Sequence, residues 1–158
     1  MYKKILVPYD GSPTSERGLM EAIGLARDQK AALRILHVVE EYVLVQSAGF
    51  DGAGLFAGDL LDALIADGKK VIARGLALAR ENGVQADSVN IERFADRSSE
   101  CIVEEAKKWP ADLIVMGTHG RRGVSRMVMG SDAEIVLRSA PVPVLLVRSP
   151  EPPTAKKG

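Results

Sequence analysis

Gly117-Thr118-His119-Gly120, followed after nine residues by Gly130-Ser131, is the stretch of this chain whose residue types and spacing could hold an anion. It joins the apolar run Ala111 to Met116 to the amphipathic segment opening at Ser131. Glycines let the backbone approach a ligand closely. A helix start supplies free N–H groups and the positive end of a dipole, so a phosphate between Gly120 and Gly130 would be held by main chain. Arg121, Arg122 and Arg126 add positive charge beside the glycines, which suits phosphate contact. The same residues have a purely structural reading: Ser131-x-x-Glu134 is also a capping box, and Gly117 could simply end a strand tightly.

A second polar cluster, Pro8-Tyr9-Asp10-Gly11-Ser12, follows an apolar run near the start of the chain. Asp10 could accept hydrogen bonds from sugar hydroxyls or hold a hydrated metal ion; alternatively it forms a turn or an extra helix cap. His119 could touch a ligand or serve only as a loop residue, whereas His37 reads as a packed imidazole. No base, nucleophile and orienting group can be assembled around His119, so no catalytic residue is assigned.

Several phosphate-binding machines are excluded on residues. No Gly-x-x-x-x-Gly-Lys-Ser/Thr stretch exists, and Gly117-x-x-Gly120-x-x-Gly123 has the wrong first spacing for the dinucleotide fingerprint. A response-regulator pocket lacks its acidic pair, since Tyr9 precedes Asp10, and Arg148 rather than a lysine ends the last strand.

The elements that must position these loops follow from hydrophobic patterning. The runs Lys4 to Pro8, Leu33 to Val39, Ser88 to Phe94, Asp112 to Met116 and Val142 to Val147 alternate with segments of helical period. Such alternation predicts a mostly parallel sheet with helices on both faces. Ser12 as N-cap and Pro13 as first helical residue open a helix running to about Gln29. A long helix from about Asp59 to Asn82 should stop at Gly83, and another should run from Ser98 until Pro110. Between Tyr42 and Gly58 the period fails, which predicts a surface loop carrying Gly49, Gly52, Gly54 and Gly58. Pro143 cannot donate a ladder bond, so the last strand belongs at an edge, where it could pair with its copy in a second subunit. In an open parallel sheet ligands lie beyond the strand carboxyl ends, which brings the first and fourth strands' loops to one cleft.

With 158 residues and 46% hydrophobic content the chain fits one domain, taken as residues 1–149 with a disordered tail at 150–158. Lys plus Arg and Asp plus Glu number 21 each, so net charge gives no argument for nucleic acid or an anionic membrane. One cysteine, Cys101, excludes an internal disulfide framework and, with two separated histidines, offers no zinc set. Apolar runs too short for a signal peptide or a membrane span make a cytoplasmic protein the expectation.

Taken together these residues resemble the universal stress protein family, in its ATP-binding branch. The resemblance covers nearly the whole domain, from Ile5-Leu6-Val7-Pro8-Tyr9-Asp10-Gly11-Ser12 through Leu36-His37-Val38-Val39 to Pro143-Val144-Leu145-Leu146-Val147. Its signature Gly-x2-Gly-x9-Gly-Ser/Thr is present as Gly117, Gly120, Gly130 and Ser131. The resemblance implies a Rossmann-like α/β fold with an open five-stranded parallel sheet in the order 3-2-1-4-5, and a homodimer through the last strand. It also implies an adenine nucleotide, ATP or AMP, with Mg2+ as an accompanying ion. The implied site comprises Pro8, Tyr9, Asp10, Val38, Met116, Gly117, Gly120, Arg121, Gly130, Ser131 and Asp132. Within it Tyr9 and Val38 would contact adenine, Asp10 the ribose, Gly117 and Gly120 the ribose and first phosphate, and Gly130 and Ser131 the outer phosphates. Asp132 departs from the family pattern: a carboxylate there repels a triphosphate unless a metal bridges them, which leaves ATP against AMP open. The function expected is a dimeric nucleotide-binding regulator of stress response. The alternatives are a slow ATPase or phosphotransfer enzyme, and an interaction scaffold that binds no nucleotide.

Overall fold

The structure, a computed structural model, describes residues 1–39, 57–92, 97–119 and 129–148. Five strands, β1 (Lys4–Pro8), β2 (Ala32–Val38), β3 (Ala86–Ile91), β4 (Leu113–Gly117) and β5 (Val144–Val147), form one sheet in the order β3-β2-β1-β4-β5. All four neighbouring pairs are parallel. Four helices connect them among the described residues: α1 (Pro13–Gln29), α2 (Ala57–Glu81), α3 (Ser98–Lys108) and α4 (Ser131–Ser139). The expected fold class and strand order are both present, and no described helix is long and apolar enough to cross a membrane.

Alternation along the strands builds two core layers. Ile5, Val7, Leu33 and Ile35 face Leu19 and Ile23 of α1 and Val71 and Ala79 of α2. Leu6, Leu36, Ile114 and Met116 face Ile102 and Ala106 of α3 and Ala133 and Val136 of α4. Because β1 is covered on both faces, Ile5, Leu6 and Val7 are all fully buried, which is why it reads as a continuous apolar run.

The first connection forms as its residues dictate. Gly11 takes φ 78°, a left-handed conformation that a side chain disfavours. Ser12 caps α1, its hydroxyl accepting from Ser15 N, and Pro13 is the first helical residue. Gly83, at φ 77°, ends the turn after α2. The strand limits shift where side chains have better partners. Asp112 stays outside β4 because its carboxylate accepts from the backbone N–H of Lys3 at 2.7 Å and of Lys4 at 3.0 Å. Pro143 stays outside β5, and its carbonyl accepts from Ile114 N at 3.0 Å. The last strand is an edge of the sheet, as Pro143 requires.

Two readings are corrected. Gly58, assigned to the surface loop, lies in the first turn of α2. The capping box at Ser131 does not form: Gly130, extended at φ −62° and ψ 146°, is the N-cap, and Ser131 is the first helical residue. The Glu134 carboxylate instead accepts from Arg138 at 2.8 Å, one turn along. Ala57 likewise lies in α2, and residues 42–56 and the proposed tail lie outside the described residues.

At the sheet's amino end Arg34 faces Asp87 across the β2–β3 register. Its guanidinium donates to Asp87 and to Glu105 of α3, the latter at 2.8 Å, and its Cζ lies 4.7 Å from the Trp109 ring centre. The Glu105 side chain is only 4% exposed, so this carboxylate depends on Arg34.

Candidate functional site

The functional geometry lies at the opposite, carboxyl end, where β1 and β4 part. β1 keeps register with β2 through Pro8, but its register with β4 runs through Leu6↔Ile114 only. A cavity of about 270 Å3 opens there, reaching from α2 on one face of the sheet to α3 and α4 on the other. Of the residues expected at a ligand, Pro8, Tyr9, Asp10, Val38, Met116, Gly117, Gly130, Ser131 and Asp132 all line it. Gly120 and Arg121 lie outside the described residues, as do Arg122 and Arg126.

Each wall has its own cause. Asp10 leaves β1 on a held peptide: its N–H meets Ser15 Oγ at 3.3 Å, and its Oδ1 accepts from Ser12 N at 2.9 Å. That second bond is a turn of the kind open in the sequence, so Asp10 shapes the loop and lines the cavity together. On the other side Thr118 N donates to Val147 O at 3.0 Å, and Gly130 N donates to Thr118 O at 2.9 Å. These two bonds set the α4 N-terminus against the end of β4. No side chain caps α4, so its first N–H groups are not satisfied by capping, and Ser131 and Asp132 stand at the positive end of its dipole. Val38, Ile102, Met116 and Leu64 add apolar surface.

Tyr9, expected to contact adenine, lines the cavity, but its ring is packed into the core. It is 1% exposed and packed in the α1–α2 core layer, where a Cβ added at Gly75 would come within 3.1 Å of its Cδ1. Its hydroxyl lies 3.5 Å from Glu16, which also pairs with Arg74. Burial pushes the phenol pKa up, partly offset by Arg74. The ring therefore presents almost no surface to a ligand.

Gly117 also has a reason besides ligand approach. A Cβ there would lie 2.8 Å from Thr14 Cγ2 and 2.9 Å from Thr14 O, because α1 lies directly on the end of β4. Gly18 makes the reciprocal contact, its own Cβ position being 3.1 Å from Gly117 N.

His37, read as a packed imidazole, is buried, yet it lines the cavity and bonds through Nδ1 to Tyr9 O at 2.8 Å. His119 also reaches the wall, its Nδ1 lying 2.9 Å from Thr118 Oγ1. Sequence reasoning did not place Leu64 and Asp67 of α2, or Ser98 and Ile102 of α3, at the site. A crossover helix begins near a strand's carboxyl end, so early residues of α2 and α3 were the signal available. Among the described residues no group of three or more His, Cys, Asp or Glu side chains is arranged to hold a metal ion.

An open parallel sheet, helices on both faces and a cleft at the parting of its central strands define a Rossmann-like α/β protein. Residues 1–148 match the model of the universal stress protein family, and the chain belongs to that family. It is 35% identical to a universal stress protein of Methanocaldococcus jannaschii over 152 residues, covering 96% of this chain and 85% of the relative. Among solved structures, a universal stress family protein from Burkholderia pseudomallei is 32% identical with a TM-score of 0.73, covering 94% of this chain and 97% of that one. The universal stress protein from Archaeoglobus fulgidus, solved in complex with dAMP, has a TM-score of 0.67 over 93% of this chain and 98% of its own. At 23% identity that protein shares the fold.

Proposed function

We propose that this chain binds an adenine nucleotide, ATP or AMP, in the carboxyl-end cavity and acts as a regulatory module rather than a dedicated catalyst. The observation that carries the reading is the meeting in one cavity of an apolar wall, the Asp10 carboxylate and the α4 N-terminus at Gly130-Ser131. These suit a base, a ribose diol and a phosphate respectively. The dAMP complex of the Archaeoglobus protein belongs to the same fold and agrees with this choice of ligand class. Asp132 opposes extra phosphate charge, so ATP should depend on Mg2+ more than AMP does. Calorimetry with ATP and AMP, with and without Mg2+, tests this. Saturable binding that Gly130→Val weakens at least tenfold is expected, since a Cβ there already lies 3.3 Å from Thr118 O. No binding of either nucleotide overturns the reading and leaves an interaction scaffold.

The proposed module is a homodimer through β5 (Val144–Val147). The supporting observation is an edge strand carrying the exposed Leu145, with Leu137 exposed on α4. Sedimentation should give a dimer, which Leu145→Lys converts to monomer; a monomeric parent chain sinks this assignment.

A further inference from the structure

We propose that His37 is the positioning residue for Asp10, acting through the Tyr9 carbonyl, and that Gly68 sets where His37 stands. The inference rests on the nucleotide reading above and assigns that site a residue that need not touch the ligand.

The Tyr9 carbonyl and the Asp10 N–H belong to one peptide unit, which is planar and turns as a rigid plate. His37 grips one side of the plate: a carbonyl only accepts, so Nδ1 carries the hydrogen in the 2.8 Å bond to Tyr9 O. Ser15 grips the other side through the 3.3 Å bond from Asp10 N to its Oγ. Two bonds on opposite sides fix the tilt of the plate and with it the direction in which the Asp10 side chain leaves the backbone. The Ser15 hydroxyl is itself held, donating to Ser12 O at 3.0 Å. The imidazole is wedged from the helix side. A Cβ at Gly68 of α2 would stand 3.0 Å from His37 Cδ2 and 3.3 Å from Nε2, so the helix backbone closes on the ring only because residue 68 has no side chain. A carboxylate recognises a ribose diol only if both are aligned, so moving the plate removes discrimination for the diol while the base and phosphate contacts survive.

The experiment compares ATP with 2′,3′-dideoxy-ATP by calorimetry. The parent chain should bind ATP about tenfold more tightly than the dideoxy analogue, the effect of one hydrogen bond to a charged group. His37→Leu should bring the ratio of ATP to analogue affinity from about ten to about one. His37→Asn, whose side-chain N–H can replace Nδ1–H, should keep the discrimination. Gly68→Ala, which favours the helix but crowds the ring, should lose part of it. Equal weakening of both ligands by His37→Leu, or discrimination that survives it, overturns the proposal while the nucleotide site stands. If His37→Leu does not fold, unchanged discrimination in Gly68→Ala overturns it. Binding by the parent chain without discrimination also overturns it, and no binding of either ligand removes the nucleotide reading as well.

Discussion

Replacing Arg34 with methionine is expected to lower the unfolding free energy by about 3–5 kcal/mol, the cost of leaving a buried carboxylate without its cation. The carboxylate is Glu105, whose side chain is 4% exposed and pairs with Arg34 at 2.8 Å. Stacking on Trp109 is lost with the guanidinium. Glu105→Leu should cost much less, since Arg34 keeps Asp87 and is itself 21% exposed. The double variant Arg34→Met with Glu105→Leu should recover most of the loss, because an apolar pair of similar volume suits that layer. Urea unfolding of the four proteins gives the coupling directly. A loss below about 1 kcal/mol for Arg34→Met would mean that the pair behaves as a surface salt bridge and that Glu105 finds water.

Gly117→Ala is expected to destabilise by about 1–3 kcal/mol, although alanine normally stabilises a strand relative to glycine. The reason is the 2.8 Å and 2.9 Å approaches to Thr14 Cγ2 and O, which require α1 to lift from β4. Adding Thr14→Ala should return only part of the loss, because the Thr14 carbonyl remains in place. Were Gly117 needed only for a ligand's approach, the alanine variant would unfold at the same urea concentration as the parent and differ solely in nucleotide affinity. Thermal or urea unfolding without ligand separates the two roles of this glycine.

Local chemistry made much of the framework legible. Ser12-Pro13 located the start of α1 to the residue, Gly83 marked the turn after α2, and continuous apolar runs marked the buried strands. Pro143 correctly put the last strand at an edge. Readings failed where a residue has two satisfactory partners and the sequence cannot rank them. Asp112 looked like the start of a strand but holds the N–H groups of Lys3 and Lys4, more than a hundred residues away in sequence. Ser131 looked like a cap, but Gly130 reached that position first. The cavity lining was legible at strand ends, at Asp10 and Met116, and at Gly130 before α4, while Val38 followed from the family resemblance. The packing of the Tyr9 ring into the α1–α2 layer was not legible, because adjacency to Asp10 does not say on which face of the sheet a ring falls. Leu64, Asp67 and Ile102 were missed because, although crossover helices begin near strand carboxyl ends, which of their residues reach the cavity depends on how the helices cross the sheet.

The strand order also has a consequence for synthesis. β1, α1, β2, α2 and β3 are consecutive in the chain, so everything through Ile91 can assemble as a half-sheet β3-β2-β1 while the remainder is still on the ribosome. In that nascent state β1, whose Ile5, Leu6 and Val7 are fully buried in the finished sheet, is an open edge. It stays uncovered until Leu113 and Ile114 arrive to pair with Ile5 and Leu6.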